Sequence, residues 1–140
     1  MKQLISLITI GILMQCLLSG CTNQPKYPVG KDTVLYVSDG KYQIGTWPNA
    51  KKLVMFDEVD NNYITVLDEH VISYKRIKDT LYVIGDSYIV VSGKTNTLKI
   101  YSSPKREILG LAENQAVITY IDSYNNFSEA ERKIFDKLKG

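Results

Sequence analysis

The chain has 140 residues, a formal net charge of +2, one histidine and two cysteines, Cys16 and Cys21. The charge is near balance, with no strongly basic stripe to call for nucleic acid and no acidic tract to call for a basic partner. Two cysteines are too few for a disulfide framework or a thiolate metal site, and the length suits one domain behind a leader.

Residues 1–20 read as that leader. Lys2 and the terminal amine give a positive start, and the stretch from Leu4 to Leu18 is uncharged and almost unbroken in apolar residues. It falls short of the ~20 residues of a membrane span and has the length of a signal-peptide core. It ends in Leu18-Ser19-Gly20-Cys21. This tetrapeptide, an aliphatic residue, two small residues and a cysteine, resembles the lipobox of bacterial lipoproteins. In that family the small residues admit the backbone to a narrow peptidase site and the cysteine thiol accepts a diacylglyceryl group. The resemblance implies cleavage before Cys21, lipidation of Cys21 and a domain held on the extracytoplasmic side of a membrane. Thr22, in place of an aspartate, implies the outer membrane in an enteric Gram-negative host; in a Gram-positive host the anchor stays in the cytoplasmic membrane. An uncleaved signal anchor is the alternative. Cys16 leaves with the leader and lipid consumes Cys21, so the mature chain keeps no thiol for a disulfide, a zinc site or a nucleophile. Two or three acyl chains hold firmly, because each buried methylene adds about 0.8 kcal/mol.

Residues 21–32 read as the lipidated N-terminus and a tether. Pro25, Pro28 and Gly30 punctuate a stretch without apolar period. Ten such residues reach on the order of 20–30 Å when extended.

From Thr33 the pattern turns to period two and is rich in Val, Ile and Tyr. Apolar or alternating runs at 33–38, 41–47, 52–57, 62–67, 70–77, 80–85, 87–92, 97–102 and 115–121 predict about nine short strands. Turn residues separate them, among them Asp39-Gly40, Pro48-Asn49, Lys78-Asp79 and Gly93-Lys94-Thr95-Asn96. Hairpin-length connections predict a mainly β domain over 33–140, an antiparallel meander in a compact sheet or barrel-like form. Leu35-Tyr36-Val37 with Tyr42 and Ile44 matches Leu81-Tyr82-Val83 with Tyr88 and Val90 at an offset of 46 residues. Such a period resembles a β-propeller blade, but the chain is too short for the four or so blades that close a propeller.

One helix is expected over 129–138. Ser128-Glu129-Ala130-Glu131 is a capping box, Phe127 precedes it as a staple residue, and Ile134, Phe135 and Leu138 form one apolar stripe. Lys137 and Lys139 favour the negative end of the helix dipole. Such a helix closes an open side or end of the sheet.

The sequence offers little chemistry. His70 follows Asp68 and Glu69 in a turn, and no Gly-x-Ser-x-Gly elbow accompanies candidate nucleophiles such as Ser73 or Ser87. Asp57-Glu58-Val59-Asp60-Asn61-Asn62 alternates oxygens but lacks the glycine and distal glutamate of a calcium loop. Lys75, Arg76 and Lys78 beside Tyr74, and Lys105 with Arg106, make basic patches that read as solvated faces. The ten tyrosines and Trp47 are the distinctive feature of the composition. Tyrosines give rigid contact area with a polar tip and also make cross-strand pairs. Alternation favours packing for most of them; Trp47, as a core plug or an exposed anchor, with Tyr74, Tyr82, Tyr88 and Tyr101 make the candidate binding surface.

These observations point to a non-enzymatic, lipid-anchored module that binds an envelope protein, of the immunity, inhibitor or complex-accessory kind. They point to no cofactor, no nucleic acid and no small-molecule ligand. The alternatives are a small envelope glycan hydrolase using Asp57, Glu58, Asp68 and Glu69 with His70, and a structural envelope lipoprotein. The first requires those side chains to converge in one pocket.

Overall fold

Alternation of apolar side chains builds nine strands in a computed structural model that describes residues 24–108 and 115–140. They are β1 (Thr33–Val37), β2 (Tyr42–Trp47), β3 (Ala50–Asp57), β4 (Asn62–Thr65), β5 (Ser73–Ile77), β6 (Thr80–Ile84), β7 (Tyr88–Ser92), β8 (Thr97–Tyr101) and β9 (Val117–Tyr120). The single α-helix among the described residues, α1, spans Glu129–Lys139. Residues 1–23, which hold the expected leader and Cys21, and residues 109–114 lie outside the described residues.

The chain is mainly β, and its strands divide into two sheets of order β1-β2-β3-β4 and β5-β6-β7-β8-β9. Every pair is antiparallel except the last, since β9 runs parallel to β8. A parallel pair needs a crossover of a dozen or more residues, and the interval between Tyr101 and Val117 is long enough for one.

The two sheets pack face to face. Val37, Tyr42, Ile44, Leu53 and Met55 of the first sheet meet Leu81, Val83, Ile89, Val91, Leu98 and Ile100 of the second in one core. The alternate residues of the second sheet, Tyr82, Ile84, Tyr88, Val90 and Tyr101, face the other way and meet Phe127, Phe135 and Leu138. The second sheet is thus buried on both faces, which explains the unbroken apolar run Tyr88-Ile89-Val90-Val91. Each large side chain fully buried in these clusters stabilises the fold by roughly 1.5–3 kcal/mol.

The internal repeat survives in the backbone and fails in the side chains. Val37 and Val83 are equivalent, as the offset of 46 requires. Val37 pairs with Tyr42, however, while Val83 pairs with Ile89. The connection inside the second pair is one residue longer. A one-residue slip reverses the faces, so Tyr42 points into the core between the sheets while Tyr88 points at the helix.

The helix begins as its sequence dictates. The Ser128 hydroxyl accepts the Glu131 N–H at 3.1 Å, and the Glu131 carboxylate accepts the Ser128 N–H at 2.9 Å. Lys99 of β8 reaches the other Glu131 oxygen at 2.7 Å, tying the cap to the sheet beneath. Burial opposes the Glu131 charge, but Lys99 and the Ser128 donors outweigh it and hold the carboxyl below its ordinary value. Replacing Ser128 with Ala should cost about 1 kcal/mol. Urea denaturation of the two proteins checks this; an unchanged midpoint would show that the cap adds nothing to the packed helix.

Candidate functional site on the outer face of the first sheet

Period two leaves the first sheet with an outer face made of Thr33, Gln43, Gly45, Val54, Phe56 and Tyr63. The helix does not cover it. Residues 24–32, read from the sequence as a tether, lie along it instead. They lack a regular element, as the missing apolar period implies, but they are fixed by single contacts. The Tyr27 ring is buried against Phe56 at 5.1 Å, and Phe56 stacks edge-on to Tyr63 at 5.1 Å. The Tyr27 N–H donates to the Asp39 carbonyl at 3.1 Å, and its hydroxyl donates to Glu58. At Gly40, φ is +92°, and a Cβ there would stand 2.8 Å from the Tyr27 carbonyl oxygen, so glycine is required twice over.

Gln43 fastens the strap further along. It is buried. Its Oε1 accepts the Thr33 hydroxyl at 2.7 Å, and its Nε2 donates to the carbonyls of Pro28 at 2.7 Å and Gly40 at 2.8 Å. The Tyr63 hydroxyl stands 2.6 Å from the same Nε2 and donates to the Pro28 carbonyl at 2.7 Å.

Beyond Gln43 the face dips. Gly45 stands opposite Lys52 and Thr33 in the sheet and contributes no side chain. The gap is a recess of about 230 Å³ between Thr33, Gln43, Gly45, Val54 and Tyr63 of the sheet and Pro28 of the strap, with Asp32 at its rim. It continues past Val54 and Tyr63 into a more open depression of about 290 Å³ reaching Pro48, Lys52 and Thr65. A glycine inside a strand commonly marks such a close approach.

The tyrosines expected to form a binding surface lie elsewhere. Tyr82 and Tyr88 pack edge-on against Phe135 at 5.9 and 5.2 Å, and Tyr101 is 6.2 Å from Tyr88. They seat the helix, which is the packing role favoured for most of the tyrosines, and Tyr82, Tyr88 and Tyr101 each keep part of their surface exposed. Tyr74 is half-buried at the edge of the core, with the Lys51 ammonium 5.4 Å from its ring centre. Trp47 ends β2 opposite Ala50. In the basic patch, Arg76 spans the two sheets and donates to the Tyr36 carbonyl at 2.9 Å, while Lys75 and Lys78 are exposed.

The acidic residues do not converge. Asp57 and Glu58 sit at one end of the sandwich. Asp57 is buried and accepts the Gln115 side-chain amide at 2.6 Å and the Val59 N–H at 2.9 Å. These bonds, Gln115 first, hold its carboxyl below the ordinary range. The Tyr27 hydroxyl does the same for Glu58. Asp68 and Glu69 sit at the opposite end. Asp68 is exposed and paired with Lys52 at 3.0 Å, which lowers it. Glu69 is buried and takes both donors of Ser87 together with Arg106. His70 is exposed, and Ser87 is fully buried with its hydroxyl given to Glu69. The arrangement that the hydrolase alternative needs is therefore not formed. Among the described residues no group of His, Cys, Asp and Glu is placed to hold a metal ion.

Sequence reading missed the polar fasteners. Lys41 donates to the Gln115 carbonyl at 2.6 Å, Asn96 donates to the same oxygen at 2.6 Å, and the Tyr42 hydroxyl donates to Asn96. Burial pushes the Tyr42 hydroxyl far above its ordinary value and pulls the Lys41 ammonium down. A carboxyl held low in the fold contributes stability that is present above its unfolded pKa, near 4, and is lost as pH falls through the folded value. Acidification should therefore weaken the domain below about pH 4, and Asp57→Asn should flatten that dependence. Urea midpoints measured down the acid range check it; an unaltered slope would remove Asp57 from the cause.

No family model matches this chain, and neither curated proteins nor solved structures show a significant match to it.

Proposed function

We propose that the chain is a lipid-anchored extracytoplasmic module that binds an envelope protein through the recess on the outer face of the first sheet. The observation that carries this reading is the gap at Gly45. On a sheet face that its own strap covers in part, this recess has apolar walls and a few fixed polar groups, as binding sites do. Its volume of about 230 Å³ lies under the ~300–1,000 Å³ of small-molecule pockets. It has the size for a buried side chain of a protein partner, and interfaces draw most of their energy from a few such anchors. The adjoining depression, with Lys52 and Thr65, supplies a more polar neighbour for the rest of the segment.

The anchor is supported by the leader and by Leu18-Ser19-Gly20-Cys21. Cys21→Ser should move the protein from the membrane fraction to the soluble fraction, read by fractionation and by loss of the diacylglyceryl mass. A variant that stays with the membrane would overturn the anchor. For the recess, the mature domain is used as bait in solubilised envelope beside Gly45→Val, which fills the gap with a residue that strands favour. Proteins enriched by the native domain should be lost from the variant while the circular dichroism stays unchanged. Equal capture by both would overturn the recess as the site.

A further inference from the structure

We propose that the end of the domain bearing the turns at residues 38–41, 58–61, 78–79 and 93–96 is the surface laid against the lipid bilayer. The inference rests on reading Cys21 as the point of lipid attachment. The strap carries it. Pro25 to Tyr27 are fixed at this end, with Tyr27 bound to Asp39 and Glu58 and pressed on Gly40, and with Lys26 3.8 Å from Glu58. From there the strap runs along the sheet to Asp32, whose carbonyl accepts the Thr46 N–H at 3.0 Å near the far end. Only residues 22 and 23 separate Cys21 from Gln24. At ~3.3–3.6 Å per residue, the chain can carry Cys21 no further than about 11 Å from Gln24. A free tether over 21–32 would reach on the order of 20–30 Å and let the domain tumble. A docked strap does not.

The anchored end is also one surface. The Asp79 carboxylate accepts the Ser38 N–H at 2.8 Å, the Ser38 hydroxyl donates to the Gly93 carbonyl at 3.2 Å, and Tyr42 holds Asn96. Turns from both sheets are thereby locked together. Exposed Lys26, Lys78 and Lys94 stand among exposed Asp39, Glu58 and Asp60, so the charge is mixed and raises no large barrier at headgroups. Val59, 71% exposed, is the apolar tip offered to them. In this orientation the recess opens on the flank and the turn at Asp86 faces away from the membrane.

The test uses the full lipoprotein in vesicles of phosphatidylethanolamine and phosphatidylglycerol carrying a headgroup nitroxide. The lipid occupies Cys21, so an introduced cysteine is the one labelling site. A fluorophore at Lys94→Cys reports the near end and one at Asp86→Cys the far end, roughly 20 Å apart along β7 and its flanks. Quenching should be several-fold stronger at position 94. Tyr27→Ala should bring the two positions together. Equal quenching with the diacylglyceryl mass present on Cys21 would overturn the orientation and leave the anchor standing. A free Cys21 thiol in protein that does not float with vesicles would overturn the anchor, and the orientation with it.

Discussion

Phe135→Ala is expected to cost about 3–5 kcal/mol, about a fifth or more of the roughly 5–15 kcal/mol that holds a domain together. Phe135 is 0% exposed and is the one α1 side chain buried completely. Its ring meets Tyr82, Tyr88 and Phe127 edge-on, with centroids 5.9, 5.2 and 5.1 Å away. Aromatic pairs in this geometry add ~0.5–1.5 kcal/mol each beyond the area they bury. Truncation removes all of them and leaves a hole that the stiff rings around it fill poorly. With a urea slope of ~1–3 kcal/mol/M, the midpoint should fall by about 2 M. Ile134→Ala, at a half-buried neighbour on the same helix, should shift it far less. A loss below about 1 kcal/mol for Phe135→Ala would mean that the helix is not seated as described.

That cluster also shows what the sequence made legible. Nine strands and the helix follow from local rules, because alternation of Val, Ile and Tyr and the Ser128–Glu131 box are readable residue by residue. The face to which each tyrosine points is not local. Tyr42 and Tyr88 occupy equal places in the repeat, and one extra residue in a connection sends them to opposite sides. Tyr82, Tyr88 and Tyr101 are candidates for a binding surface from the pattern of the sheet, which cannot show that a helix much later in the chain lies on them. Gln43 and Lys41 are illegible for a related reason. Both alternate with Tyr42 and Ile44, which is the signature of a solvent face, yet Gln43 is buried where the strap crosses that face and Lys41 is buried where it donates to the Gln115 carbonyl. The parallel β8–β9 pair likewise depends on the crossover through 102–116 rather than on β9 itself. The recess at Gly45 had a signal, a glycine inside a β run, but its meaning depends on Thr33, Val54 and Tyr63 from three other strands.

Glu69→Ala is the second large effect, at about 3 kcal/mol. The Glu69 side chain is 4% exposed. Its Oε1 accepts the Ser87 N–H at 3.2 Å; its Oε2 accepts the Ser87 hydroxyl at 2.8 Å and Arg106 at 2.9 Å. Three chain segments meet here: the link between the sheets, the β6–β7 turn and the start of the crossover. Removing the carboxylate leaves both Ser87 donors buried without partners, at ~1–3 kcal/mol for each unsatisfied group. The half-exposed Arg106 can turn to water and to Asp86, 3.6 Å away, so its share is small. Glu69→Gln keeps the shape and one acceptor and should lose only ~1 kcal/mol. Arg106→Ala should also lose less than Glu69→Ala, since Ser87 still satisfies the carboxylate. The site has no room to adjust. A Cβ on Gly85 would stand 2.6 Å from the His70 carbonyl and 2.7 Å from Glu69 Oε1, so Gly85→Ala should disturb the same junction. Urea midpoints of the four variants order them, with Glu69→Ala lower than either Glu69→Gln or Arg106→Ala. If Arg106→Ala proved the more damaging, the junction would be held by its ion pair rather than by the satisfaction of Ser87.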